Sequence, residues 1–254
     1  ELTARSFIVM DYDSGRVLAA REPDARQEPA SLTKLMAAYA VFKALAEGRI
    51  KLDGLVTISE SAWKQEGSRM FVQVGKQVPV EALIQGMIVQ SGNDATVALA
   101  EHVGGTEATF VQMMNTYAKE LGMTGSHFTN SAGMPDPEHY MTARDAAILT
   151  VALIHEFPEY YKWYSQKEYT WNGITQQNRN GLLWRDPSVD GVKTGHTETA
   201  GYCLVTSAKR DGMRLVAVVL GTQSMRARED ANAALLNYGF NFFETRRLYA
   251  AGEP

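Results

Sequence analysis

Met213-Arg-Leu-Val-Ala-Val-Val-Leu220 constrains this chain more than any other stretch. It reads as a strand, and apart from Arg214 it is apolar on both of its alternating faces. A strand with one wet face alternates, so a strand apolar on both sides belongs to a sheet covered above and below. Gly201 to Lys209 is a second extended run, and Arg210-Asp211-Gly212 between the two is turn chemistry, which predicts a hairpin. Another hairpin is predicted at the opposite end, with strand Ser6–Tyr12, turn Asp13-Ser14-Gly15 and return strand Arg16–Arg21.

The middle of the chain reads as helices. Apolar runs from Leu35 to Glu47 and from Val80 to Gln90 are two of them, the first closed by Gly48. A short helix is expected near Ser59–Lys64, and another from Ala95 to His102, closed by Gly104-Gly105. Thr106 can cap a helix to Leu121, and Thr142 can cap one through His155 that stops before Pro158. Residues 51–79 are mixed, and residues 159–187 show no clear period. Val189–Gly195 is a short extended segment. A last helix runs from about Arg228 to Phe243, its period broken only by Gly239. With strands at both ends and helices between, the expected class is α+β. The terminal segments form one antiparallel sheet, a helical lobe (about 30–160) packs on one face, and the C-terminal helix covers the other.

At 254 residues and 45% hydrophobic, the chain can bury a sizeable core. A net charge of −4 argues against nucleic acid as a partner. No apolar run approaches the roughly 18 residues that would span a bilayer. Glu1 is not a natural start and suggests a processed or trimmed N-terminus. Cys203 stands alone, so no internal disulfide forms; its apolar strand predicts a buried structural thiol. A single thiol suits a reducing compartment without excluding the periplasm. The five histidines show no metal-ligand spacing, and neither metal nor cofactor is expected.

Three short patterns carry chemistry. Ser31-Leu-Thr-Lys34 opens the first helix, and residues three apart share a face, so hydroxyl and amine can touch. A serine needs an adjacent base to become a nucleophile, and a lysine serves only if burial or a neighbouring cation strips its proton. Alone the pattern is weak: Ser61-Ala-Trp-Lys64 fits it too. Ser91-Gly92-Asn93 lies between two helices, and Lys193-Thr194-Gly195 lies on a strand entering the C-terminal hairpin. Ser91 follows Ser31 by 60 positions and Lys193 follows Ser91 by 102. Three such patterns in this order are the set shared by penicillin-binding proteins and class A β-lactamases.

The likeness runs further. Pro-Ala-Ser-Leu-Thr-Lys-Leu-Met (29–36), Gln-Ser-Gly-Asn-Asp-Ala (90–95), Asn-Arg-Asn-Gly-Leu-Leu-Trp (178–184), Asp-Gly-Val-Lys-Thr-Gly-His-Thr (190–197) and Gly-Phe-Asn-Phe-Phe-Glu (239–244) all carry it. The chain resembles the low-molecular-mass penicillin-binding proteins, D-alanyl-D-alanine carboxypeptidases of the penicillin-binding protein 5 and 6 kind, over essentially its whole length. The resemblance implies a DD-peptidase/β-lactamase-like fold and acyl transfer through Ser31. It makes Lys34 the base, Ser91 a proton relay to the leaving D-alanine, and Asn93 a holder of Lys34 and of substrate. The backbone N–H groups of Ser31 and His196 would form the oxyanion site. Lys193, Thr194 and Gly195 would meet the substrate carboxylate, with His196, Arg179 and Arg228 near that pocket. The implied partners are peptidoglycan stem peptides ending in D-Ala-D-Ala, with β-lactams as covalent inhibitors and no cofactor. The implied location is periplasmic, at the outer face of the bacterial inner membrane.

Some features depart from the family. The segment Trp63–Phe71 looks shorter than the corresponding loop, and Ala132 stands where some members carry histidine. Members usually continue into a β-rich second domain and a membrane-lying helix, so residues 1–244 are expected to be the catalytic domain and 245–254 the start of a linker. Membrane association is expected only through such further parts. A class A β-lactamase would usually carry Glu-x-x-Leu-Asn between the second and third motifs, and none is present. A penicillin sensor that keeps the serine without turnover is the non-enzymatic alternative.

Overall fold

The computed structural model describes the backbone of residues 2–251 and the side chains through Phe243. In chain order the strands are β1 Ser6–Asp11, β2 Val17–Arg21, β3 Leu55–Thr57, β4 Gln77–Pro79, β5 Glu168–Trp171, β6 Ile174–Gln177, β7 Val189–Thr197, β8 Gly201–Arg210 and β9 Met213–Thr222. The helices are α1 Thr33–Ala46, α2 Glu60–Trp63, α3 Val80–Val89, α4 Asn93–Gly104, α5 Glu107–Glu120, α6 Ala143–Glu156, α7 Pro158–Tyr161, α8 Leu182–Arg185 and α9 Met225–Ala251. The terminal segments build one five-stranded antiparallel sheet in the order β2-β1-β9-β8-β7.

β9 is central, and its two apolar faces divide as its sequence demands. Val216, Val218 and Leu220 join the core shared with the helical lobe. Met213, Leu215, Ala217 and Val219 join a second core closed by Leu235, Leu236 and Phe240 of α9. Burying a side chain of that size is worth about 1.5–3 kcal/mol, so both faces of the sheet are strongly held. Cys203 is buried in the first core and unpaired.

α1 runs through the middle of the lobe with every residue from Thr33 to Phe42 buried. A helix apolar all round belongs in a core, and this one carries Lys34 into it. The predicted caps hold: the side-chain oxygens of Thr106 and Thr142 accept from the N–H groups of Thr109 and Asp145, and Ser59 caps α2 in the same way by accepting from Ala62 N–H. Gly239, the break in the last helix, lies where a side chain would strike Leu215 Cδ1, so α9 can seat closely on β9. Among the described residues no helix is long and apolar enough to cross a membrane.

Several expectations need correction. Ser31 is not in the first turn of α1; it sits in a preceding 3-10 turn, Ala30–Leu32. Residues i and i+3 eclipse in such a turn, so Ser31 and Lys34 still share a face. α4 starts at Asn93 rather than Ala95, and β7 continues to Thr197. Residues 159–187 are ordered as α7, a second 3-10 turn (Lys162–Ser165), the β5–β6 hairpin and α8. Asn172-Gly173, with φ of 50° and 76°, is the left-handed pair that closes a two-residue hairpin. The last helix begins at Met225 and its backbone runs on to Ala251. The linker expected at 245–254 thus falls on residues whose side chains are not described, and 252–254 lie outside the described residues.

Candidate active site

Ser31 enters the site on a strained turn. Ala30 has φ of +51°, and Leu32 N–H closes the turn on Pro29 O at 3.0 Å. A non-glycine residue in the left-handed region costs about 1 kcal/mol or more, and the neighbouring core supplies it. β7 passes directly beside this turn. A side-chain carbon on Gly195 would stand 3.0 Å from Pro29 O and 3.3 Å from Ser31 N, so only glycine lets the strand approach so closely.

Lys34 is 2% exposed, and its Nζ is surrounded by four oxygens. They are Ser31 Oγ at 3.1 Å, Ser91 O at 2.9 Å, Ser91 Oγ at 3.0 Å and Asn93 Oδ1 at 2.6 Å. An ammonium has three protons to give and no lone pair, so it cannot serve all four. A neutral amine donates to two and can accept from a serine hydroxyl. Burial comes first in pushing Lys34 down from the ordinary 10.5 to about 7; the Arg179 charge assists and Asp94 opposes. The amine is therefore poised near neutrality as a base.

Ser91 also has a left-handed backbone, φ +54°. Its Oγ stands 3.0 Å from Lys34 Nζ and 3.0 Å from Lys193 Nζ, bridging the two amines. Lys193 is buried and also donates to Thr194 O at 3.0 Å. Burial, then the charges of Lys34, Arg179 and Arg228, hold it well below the usual lysine range. The Lys34 charge thus helps strip Lys193 of its proton, while on Lys34 itself the assisting charge is that of Arg179.

A residue given no role in the sequence reading holds the front wall. Asp94, buried, takes N–H groups from Met70 (2.9 Å), Phe71 (2.9 Å) and Val72 (3.1 Å), as well as its neighbour Ala95 (2.9 Å). Asn93 continues the strap: its N–H donates to Ser68 O at 2.7 Å and its Nδ2 to Glu66 O at 2.7 Å. Segment 66–72, read from sequence only as a short loop, is thus tied to the second motif. Asp94→Asn turns one carboxylate oxygen into a donor and leaves two buried N–H groups unserved. At about 1–3 kcal/mol each, the expected loss is about 2–6 kcal/mol, measured as a lowered urea midpoint.

The cleft in front of Ser31 holds about 310 Å³ and is lined by Ser31, Ser68, Ser91, Arg179, Thr194 and Arg228, among others. Arg228 is 2% exposed, yet among the described residues its side chain makes one hydrogen bond, a long 3.4 Å contact to Gly195 O, and its Nε has no partner. Its guanidinium lies 5.5 Å from the Tyr202 ring centre, and His196 stacks on the same ring at 3.9 Å. Arg179 reaches over the rim to Ser68 Oγ at 2.9 Å. Behind Ser31 a second cavity of about 230 Å³ is lined by Asn93, Ala132, Gly133, Pro135, His196 and Thr197. Ser31 and His196 line both.

All ten predicted site residues therefore converge. Lys34, Ser91, Asn93 and Lys193 form one bonded cluster with Ser31, while Thr194, Gly195, His196, Arg179 and Arg228 wall the cleft. The decoy pair Ser61 and Lys64 is exposed on and beside α2. Ser68 and Tyr202 were missed, because nothing local in sequence marks a loop serine or a strand tyrosine as cleft residues. Asp94 had a signal, its place directly after Asn93.

A serine served by a buried, near-neutral lysine, opposite a cationic cleft, defines a serine acyl-transfer site. The chain belongs to the D-alanyl-D-alanine carboxypeptidase family, peptidase S11, which it matches over residues 1–224. It is 48% identical over 258 residues to D-alanyl-D-alanine carboxypeptidase DacA of Haemophilus influenzae, covering 100% of this chain and 66% of that protein. The chain thus spans just under two thirds of that relative's length. Penicillin binding protein 5 of Haemophilus influenzae superposes with a TM-score of 0.93 at 48% identity, over 95% of this chain and 72% of that one. Penicillin-binding protein D2 of Listeria monocytogenes, solved in an ampicillin-bound form, gives 0.86 at 28% identity, over 94% and 98%.

Proposed function

We propose that this chain is a serine D-alanyl-D-alanine carboxypeptidase domain, residues 1–244. It removes the terminal D-alanine from peptidoglycan stem peptides at the periplasmic face of the bacterial inner membrane, and β-lactams acylate the same serine. The observation that carries the reading is the bonded chain Ser31–Lys34–Ser91–Lys193 opening onto a cleft with an under-satisfied buried arginine.

The substrate's terminal carboxylate enters the cationic cleft, where the Thr194 hydroxyl and the Arg228 and Arg179 guanidinium groups receive it. Neutral Lys34 takes the Ser31 proton as Oγ attacks the penultimate carbonyl carbon. The carbonyl oxygen becomes an anion, and the N–H groups of Ser31 and His196 stabilise it; one such donor is typically worth about 3 kcal/mol. The C–N bond then breaks, and the proton held by Lys34 passes through Ser91 Oγ to the departing D-alanine nitrogen. Lys34, neutral again, deprotonates a water that releases the acyl group. With a β-lactam the nitrogen stays tethered by the opened ring, so it blocks that water and the acyl-enzyme persists.

Release of free D-alanine from a peptide ending in D-Ala-D-Ala tests the reading; folded protein that releases none would sink it. Arg228→Gln keeps the fold-side packing but removes the charge. It is expected to raise KM about tenfold or more, in line with the loss of a charged hydrogen bond, while kcat falls less.

A further inference from the structure

One buried imidazole has no part in the chemistry above. His139 is 3% exposed and sits directly behind the turn that carries the nucleophile. Its two ring nitrogens have different partners. Thr129 N–H stands 2.9 Å from Nδ1. A backbone N–H can only donate, so Nδ1 offers its lone pair and the ring proton is on Nε2. Nε2 lies 2.8 Å from Thr33 Oγ1 and therefore donates to that hydroxyl. Burial pushes the imidazole down to about 4; the Asp136 and Glu28 charges oppose this and His127 assists it. The ring is thus neutral near pH 7, with its tautomer set by geometry.

Thr33 is the residue at which the strained serine turn joins α1. It is fully buried, and among the described residues the imidazole is the one hydrogen-bond partner of its hydroxyl. Its N–H returns to the carbonyl of Ala30, the residue with φ of +51°. The loop that carries Thr129 touches the same turn a second time. A side-chain carbon on Gly133 would strike Ala30 O and stand 3.0 Å from Thr33 Oγ1. Asn130 Oδ1 fixes that part of the loop by accepting the N–H groups of Gly133 and Met134, both at 2.8 Å. Phe128 meets the imidazole edge-on, with 5.6 Å between ring centres. A left-handed non-glycine residue persists only where its surroundings over-determine it, and this loop supplies that restraint. Thr33 stands between Ser31 and Lys34 in sequence, so fixing it helps fix the 3.1 Å gap between their side chains.

Resting on the carboxypeptidase reading above, we propose that His139 is a positioning residue for Ser31. Through its Nε2–H bond to Thr33 it braces the strained turn from behind and keeps Ser31 Oγ aimed at the substrate carbonyl. It exchanges no proton in the reaction and adds nothing to substrate affinity.

Thr33→Val keeps the shape of the side chain and removes the hydroxyl. On a peptide ending in D-Ala-D-Ala, kcat is expected to fall about tenfold or more with KM within about threefold, since misplacing a reacting atom by about 1 Å costs up to about a hundredfold. Thr33→Ser restores the hydroxyl and should regain most of the loss. His139→Asn keeps an acceptor for Thr129 N–H but is too short to reach Thr33, and should reproduce the fall in kcat. Near-ultraviolet circular dichroism checks that each variant folds. The proton–nitrogen NMR spectrum of the parent should show the His139 ring neutral and protonated on Nε2 near pH 7. A kcat within about twofold of the parent in either folded variant that breaks the bond, a Thr33→Ser protein as slow as Thr33→Val, or a ring protonated on Nδ1 would overturn the brace and leave the carboxypeptidase reading standing. A parent that releases no D-alanine would instead overturn that reading, and the brace with it.

Discussion

Ser31→Ala is expected to fold like the parent protein and to take up no benzylpenicillin. The parent should gain the mass of one whole penicillin and keep it through a time course of intact-mass spectra. Ser31 is half-buried and among the described residues its hydroxyl meets only the Lys34 amine, at 3.1 Å, so its removal costs little packing. It does remove the one oxygen placed both beside the base and at the junction of two cavities. Acylation should fall by a factor on the order of 10⁴ or more, as when an acyl-transfer nucleophile is removed. An adduct on the Ser31→Ala protein would mean that another group is acylated and would end the role assigned to Ser31. An adduct that forms on the parent and vanishes within seconds would make the chain a β-lactamase in practice.

Lys34→Met is the second large effect. It keeps the length of the buried chain and removes the base, so acylation should slow by about 10²–10⁴, the usual worth of a positioned general base. The parent's own pH profile carries the same information. Lys34 is held down to about 7, and the active form is the neutral amine. The acylation rate should rise about tenfold per pH unit below 7 and level off above it. A flat profile between pH 5 and 9 would place the base elsewhere. The shift also has a stability consequence of defined sign. Between about 7 and the ordinary lysine value of 10.5, the unfolded chain binds a proton that the folded one does not. Stability should therefore rise with pH across that window, and Lys193, lowered for the same reasons, acts in the same direction.

Periodicity made the frame legible. β1, β8, β9, α1, α3, α5 and α6 follow from alternation, apolar runs and capping residues, and the two-faced apolarity of β9 required both the helical lobe and α9. The same signals failed where elements are short. α7 and α8 span four residues each, too few for a helical period to register. The β5–β6 hairpin did carry a mark, Asn172-Gly173, but its strands are mostly exposed and so lack the apolar alternation that identifies a strand. The start of the first helix was misplaced because a 3-10 turn and an α turn place the same residues on one face.

The motif chemistry was legible because each short pattern needs its residue types in a fixed local order: Ser31 three before Lys34, Ser91 two before Asn93, Lys193 beside Thr194. Those spacings are properties of the chain. Their convergence is not. Ser91 Oγ lies 3.0 Å from a lysine 57 positions away and 3.0 Å from another 102 positions away, and only the packing of α1, α4 and β7 against one another brings them together. The lysine pKa, the anion hunger of Arg228 and the strap that Asp94 holds belong to the tertiary structure alone. Each depends on water being excluded from a charged or polar group, and a linear sequence does not record how much water a side chain will keep.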